Sequence, residues 1–321
     1  MNPLLRILAR QWFMIGVACV ISLGYVAPGI GQWLDAHFVP NLIIIVIFFT
    51  SGLAIRLKHI GEGLLHWRCH LLIQSLSFLL APALVWAAAG CIAEGPVRLG
   101  AFLVAALPTT IFSCVAFTAA SGGNAACAIL NAVGGNLAGV ALSPLLLGLL
   151  SRSGGGLDVA TIERTIADLC LLVLLPLIAG QVIGLRPSAL RDRISKRQSY
   201  IGMSCVLMVM FCAFSKSIGE LASQLNAMWR CFLFVAALHG ALLGAGWGIG
   251  RLVRLEMSDR IAALFCGSQK TLSLGVPLAY SYYRGTATPV GIVVLPLVFY
   301  HLLELTAGSV IVARFARAKE L

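Results

Sequence analysis

The chain has 321 residues, 60% of them hydrophobic and only 11% charged, with a net charge of +11. A soluble chain carries about 25% charged residues, and water cannot cover this much apolar surface, so a soluble enzyme or binding domain is excluded and lipid is the expected solvent. All but one of the 23 Lys and Arg sit in short gaps between apolar runs, which reads as a positive-inside membrane protein and not as a nucleic-acid binder.

In chain order, Arg6 and Arg10 precede an apolar run from Trp12 to Ala27. The run resembles a signal peptide but is too long and has no clean small-residue cleavage site, so a retained first helix is expected. Ten apolar segments of spanning length follow one another, with starts near Trp12, Phe38, Arg68, Arg98, Ala125, Leu169, Tyr200, Trp229, Arg260 and Thr288. Lipid offers no partner for unpaired backbone groups, so all ten are expected to be helices and the fold class all-α polytopic. With an even span count both termini share one side. The gaps on that side hold 16 of the 23 bases against 6 opposite, with Lys270 inside a span, so both termini are expected in the cytoplasm of a plasma (inner) membrane protein. The second five spans begin 157 to 163 residues after the first five. Five is odd, so the pattern predicts two inverted five-helix repeats, over 1–150 and 169–321, joined by a linker over 151–168 with an amphipathic end. The basic segment from Arg186 to Ser199 reads as a solvated loop.

Polar residues inside the apolar spans carry the functional signal. The densest runs are Pro108-Thr109-Thr110-Ile111-Phe112-Ser113-Cys114 in the fourth span and Cys266-Gly267-Ser268-Gln269-Lys270-Thr271-Leu272-Ser273, with Gly275 and Pro277, in the ninth. Both lie about ten residues into their spans, near the midplane at about 1.5 Å per residue. Proline removes a backbone donor, and broken helices survive at membrane depth only where they are packed in protein or line a cavity. Matching breaks in two halves point to a transporter's binding site; ordinary proline kinks in a tight bundle are the alternative. Lys270 costs about 2.5–3.5 kcal/mol at mid-bilayer, so it is expected to face a polar cavity or a partner, and Glu304 is the available acid. His301 and Glu304 share a helix face, as a proton relay or as caps for buried polar groups. Gln74, Asn131 and Asn136 are candidates for ion coordination or for helix–helix glue, and Gly134 and Gly135 beside Asn136 for close packing or an unwound turn. His239 reads as a core histidine. The ten cysteines are scattered, have no metal or redox spacing, and read as small hydrophobes. No cofactor and no confident metal site is expected.

Leu107-Pro108-Thr109-Thr110, Ser113, Gly123-Asn124, the run Phe265 to Leu272 with Gly275-Val276-Pro277, Gln74 and Tyr300-His301 resemble the bile acid:sodium symporter superfamily (solute carrier family 10), most closely its SBF-like branch. The likeness spans about Leu4 to Phe315. It implies a panel and a core domain, broken and crossing fourth and ninth spans, and alternating access. In sodium-coupled members a Ser-Asn pair and hydroxyls in spans four and five, with a Glu and a Gln in span nine, hold sodium. Here Ser113 and Gln269 fit, but Cys114 stands where Asn is expected, Ala128 and Ala132 where hydroxyls are, and Phe265 where Glu is. Thiol, methyl and phenyl groups supply no hard oxygen.

The resulting expectation is a secondary transporter of a small organic anion. Lys270 stands in for a coupling sodium, and the coupling ion is sodium or proton. Thr109, Thr110, Ser113, Cys114, Gln74, Asn131, Asn136, Ser268, Gln269, Lys270 and Thr271 form the site, and Ser113 and Gln269 are the sodium ligands if any exist. The other readings are a membrane regulator of ion or lipid homeostasis acting through protein partners, and an intramembrane enzyme using Ser113, Ser268 or Cys266 with His301. No serine sits in a nucleophile elbow to support the last.

Overall fold

The computed structural model describes residues 12–54, 65–92, 95–151, 158–185, 189–221, 225–283 and 285–320. Arg6, Arg10, Arg56, Lys58, Arg152, Arg186 and Arg284, and the glycine-rich part of the expected linker, lie outside the described residues. Among those described, every regular element is a helix. They are α1 Trp12–Val26, α2 Pro28–Ala36, α3 Val39–Ala54, α4 Trp67–Ala87, α5 Pro96–Ala106, α6 Ser113–Ala120, α7 Ala125–Leu150, α8 Val159–Gly184, α9 Ala189–Leu221, α10 Leu225–Leu252, α11 Met257–Ser268, α12 Leu272–Tyr282 and α13 Val290–Glu320.

Six of these are long and apolar enough to cross a membrane on their own: α4, α7, α8, α13 and the greater parts of α9 and α10. A seventh arises if α1 and α2, which meet at a 95° bend, count as one span, while α3 and α5 are shorter apolar helices. The described residues thus give six or seven spans by length and composition, not the expected ten; at the breaks α5 and α6, and likewise α11 and α12, are each too short to span alone.

The amphipathic end of the expected linker forms the first turns of α8 from Val159. Asp158 caps it by accepting the Thr161 N–H at 3.2 Å and the Thr161 hydroxyl, which holds its carboxyl below the usual range. Its apolar stripe is buried at Ile162, Thr165 and Leu169. The basic stretch expected as a loop is helical from Ala189, as the first turns of α9.

The two sequence halves interleave. Helix α3 packs on α8 and α9, and α9 on α1 and α2, as one lobe, and α4–α7 with α10–α13 surround the two breaks as another. The first lobe closes at backbone contact. A Cβ on Gly52 of α3 would lie 2.1 Å from the Leu177 carbonyl oxygen of α8, and one on Gly180 of α8 would lie 2.1 Å from that of Phe49. Glycine at both positions is what lets the two helices touch along their backbones.

Both α4 and α8 contain a widened π turn, Leu76–Leu80 and Cys170–Leu174, set just ahead of Pro82 and Pro176. Proline has no N–H and clashes with the preceding turn; the widened turn absorbs that clash.

Gly180→Leu is expected to destabilise the protein by roughly 1–3 kcal/mol through overpacking against α3. Thermal unfolding in detergent measures it, and an unchanged melting temperature would show that the α3–α8 contact is loose.

Candidate functional site

The site starts from backbone groups that two helices fail to satisfy. Helix α5 stops at Ala106 because Pro108 cannot continue it, and the chain runs extended from Leu107 before α6 resumes at Ser113. Helix α11 stops at Ser268, and α12 resumes at Leu272 after Gln269 and Thr271 adopt extended backbone. The two breaks lie against each other, the Thr271 N–H donating to the Pro108 carbonyl at 2.9 Å.

Lys270 is fully buried between them. Its ammonium donates to the carbonyls of Leu107 at 2.7 Å, Ser77 at 3.0 Å and Ala105 at 3.4 Å. Each acceptor has lost its ordinary helix donor. In the π turn of α4 the Ala81 N–H goes to Leu76, and the next donor in register for Ser77 would be residue 82, a proline. Ala105 and Leu107 are at the end of α5, where carbonyls are orphaned and the helix dipole attracts a cation. The Glu304 carboxylate, expected as the partner of the amine, instead accepts the Lys270 backbone N–H at 2.8 Å and contacts His301 Nδ1 at 2.6 Å. It thereby pins the second break to α13.

Beside the ammonium lies a triangle of hard oxygens. Gln269 Oε1 accepts from Thr110 Oγ1 at 2.7 Å and Ser113 Oγ at 2.8 Å, and the two hydroxyl oxygens are 2.6 Å apart. Two hydroxyl protons serve three oxygen–oxygen edges, so one edge has no proton. Among the described residues the buried Gln269 Nε2 has no partner.

The other expected residues divide by role. Asn136 donates to the Thr109 carbonyl at 2.9 Å and so holds the first break against α7, while the buried Thr109 Oγ1 and Asn136 Oδ1 have no partner among the described residues. Gly135 and Gly139 make room for this: a Cβ at Gly139 would come 2.9 Å from the Pro108 ring. Gly134 faces open space, and α7 is continuous there, so the close packing falls on Gly135 and no turn is unwound. Gln74 Nε2 donates to Asn131 Oδ1 at 3.1 Å, which is helix–helix glue between α4 and α7. Cys114 Sγ donates to the Thr110 carbonyl at 2.7 Å and the Ser268 hydroxyl donates back to Leu264 at 2.7 Å, so both bond within their own segments. The Ser268 carbonyl is taken by Tyr300 OH at 2.5 Å and lies 3.2 Å from His239 Nδ1; His239 and Tyr300 thus cap α11. Phe265, Ala128 and Ala132 are buried, and Phe265 packs on Phe117 with ring centroids 5.7 Å apart.

A cavity of about 280 Å³ opens on the crossing. Thr110, Ser113, Thr271, Ser273 and His301 line one wall; Phe13, Ile47, Phe48, Ser51, Gln198 and Met203 of the other lobe line the facing wall. A second cavity of about 340 Å³ lies at the opposite end of α12, between Tyr280 and Ser281 on one side and Asp35, Asn41 and the Asp35-paired Lys216 on the other. The sequence signalled the crossing residues but missed Ser51 and Gln198, hydrogen bonded at 2.8 Å, because single polar residues near span ends are not distinctive.

Residues 11–317 match the SBF-like CPA transporter family. The chain belongs to this family. Its relatives include the uncharacterized protein PA2026 of Pseudomonas aeruginosa, 30% identical over 96% of this chain and 93% of that one. Sodium/bile acid cotransporter 7 of Xenopus tropicalis is 27% identical over 96% and 92%, and that of Mus musculus 26% over 94% and 92%. As a member of the SBF-like family, within the bile acid:sodium symporter superfamily, the chain is an integral multi-pass membrane transporter and not an enzyme. The hydroxyls and thiols at the crossing are therefore read for binding, not for nucleophilic attack.

Lys270→Met is expected to destabilise the protein by about 1–3 kcal/mol, since it leaves buried carbonyls without a donor. Thermal melting of purified protein checks it. A variant as stable as the parent would show that the ammonium does not hold the breaks.

Proposed function

We propose that this SBF-like protein is a secondary active transporter moving a small organic anion by alternating access at the crossing of its two broken spans. The observation carrying the reading is the Lys270 ammonium bound between the breaks by two carbonyls at the end of α5 and one in the π turn of α4. It fixes a positive charge where sodium-coupled relatives in the superfamily would hold an ion, and a cationic core favours anionic substrates. Departures at Cys114, Ala128, Ala132 and Phe265 remove oxygen ligands from the same region, which supports uptake that is proton-coupled or uncoupled.

Ten spans in two inverted five-helix repeats, with both termini in the cytoplasm of the plasma membrane, fit this reading. In it the fourth and ninth spans are the α5–α6 and α11–α12 pairs. The two cavities at opposite ends of α12, both between the same two lobes, are the two vestibules that rocking would open in turn. His301 lines one of them, and Glu304 links it to the Lys270 backbone, which supports a proton relay through the pair. Sodium ligation by Ser113 and Gln269 belongs to the opposite outcome, in which uptake follows the sodium gradient.

The test is uptake of a panel of organic carboxylates and sulfonates into proteoliposomes, with sodium and proton gradients imposed separately. Uptake of an anion that is indifferent to sodium and lost in Lys270→Ala is expected. A sodium-dependent current retained in Lys270→Ala would sink the stand-in role. In Glu304→Gln the proton-driven component is expected to disappear while exchange of pre-loaded anion continues; equal loss of both would assign Glu304 a structural role only.

A further inference from the structure

A second cluster lies away from the crossing, where α4, α7 and α11 begin. Cys69 and Cys127 are completely buried and Asp259 nearly so. Their two sulfurs and a carboxylate oxygen all lie within 4.8 Å of one another. His70 Nδ1 is 3.9 Å from Cys127 Sγ and 2.7 Å from Asn131 Nδ2. An amide nitrogen only donates, so this ring nitrogen carries a lone pair and no proton. The Asp259 oxygens are oriented by Asn124 Nδ2 at 2.8 Å and by His66 Nδ1 at 2.6 Å.

We propose that Cys69, Cys127, Asp259 and His70 form a binding site for a borderline-soft divalent cation of the zinc class. The chemistry is that of a four-ligand S₂NO set. Zinc bonds of about 2.0–2.3 Å imply ligand-to-ligand edges of roughly 3.3–3.8 Å in a tetrahedron. Cys69, Cys127 and Asp259 are already within 4.8 Å of one another, and the His70 lone pair, which now accepts from Asn131 Nδ2, turns to the ion as the fourth ligand. Two thiolates and a carboxylate bring three negative charges to one divalent ion. The fourth ligand is a neutral imidazole, and binding releases the two thiol protons, so affinity falls on acidification. His66, with 31% of its side chain exposed against 7% for Asp259, stands at the rim and orients the carboxylate, as hydrogen-bond partners of ligating carboxylates do. The ligands come from three separate helices of the lobe that contains the breaks. An ion here would tie the ends of α4, α7 and α11 together, whatever the substrate of the crossing.

The experiment uses full-length protein in detergent, reduced, stripped with a chelator and titrated with Co²⁺ and then Zn²⁺. The expected result is one cobalt per chain with a thiolate charge-transfer band, displaced by zinc. The band is lost in Cys69→Ser and Cys127→Ser and kept in Cys231→Ser. His66→Ala is expected to weaken binding by about 10–100-fold. Zinc-edge X-ray absorption on the unsubstituted protein reads the ligands directly and needs no variant to fold: two sulfurs with nitrogen or oxygen are expected. Folded protein that takes up no metal, bound zinc without sulfur ligands, or a Cys69→Ser/Cys127→Ser variant that binds as the parent does would overturn the proposal.

Discussion

The structure depends on a single buried amine satisfying three backbone carbonyls that proline chemistry has left without donors. Pro108 ends α5, and Pro82 prevents the Ser77 carbonyl from finding a helical partner. Buried carbonyls without donors are costly in a dry interior, and so is an unpaired ammonium. Each cost is removed by the other, and neither element is stable alone. That mutual dependence explains how irregular backbone persists inside a chain otherwise built from helices.

Around this interaction the neighbouring residues act as supports. Glu304 ties the Lys270 backbone to α13, Asn136 ties Thr109 to α7, and Tyr300 closes the end of α11. The oxygen triangle and the cavity wall then sit on a scaffold whose rotamers are fixed by hydrogen bonds. The facing wall belongs to a lobe held by the glycine contacts of α3 and α8. One side of the cavity is thus fixed by hydrogen bonds, and the facing side belongs to a separately packed body.

Much of this was legible in the sequence, for physical reasons. Apolar runs and their basic borders are long-range signals, and Pro108 and Lys270 are expensive in lipid, so they announce themselves. The amine's actual acceptors were not legible: Glu304 was the evident acid, while a carbonyl freed by a π turn leaves no mark in composition. The early starts of α8 and α9 were missed because their first turns are amphipathic or basic, and hydropathy ends a span where polarity begins. The Cys69–Cys127–Asp259 cluster escaped because its members are separated by 58 and 132 positions. Spacing rules for metal sites assume ligands close together on one segment, and only helix packing brings these together.

The widened turn in α4 couples two distant positions. Proline at 82 denies the Ser77 carbonyl a main-chain donor, and the amine at 270 supplies one from another helix. Changing residue 270 alone strands that oxygen. Changing both, so that residue 82 regains its N–H, lets the helix heal itself. Positions 82 and 270 are thus an epistatic pair, and any evolutionary route that discards the buried charge is easier if it first gives up the proline.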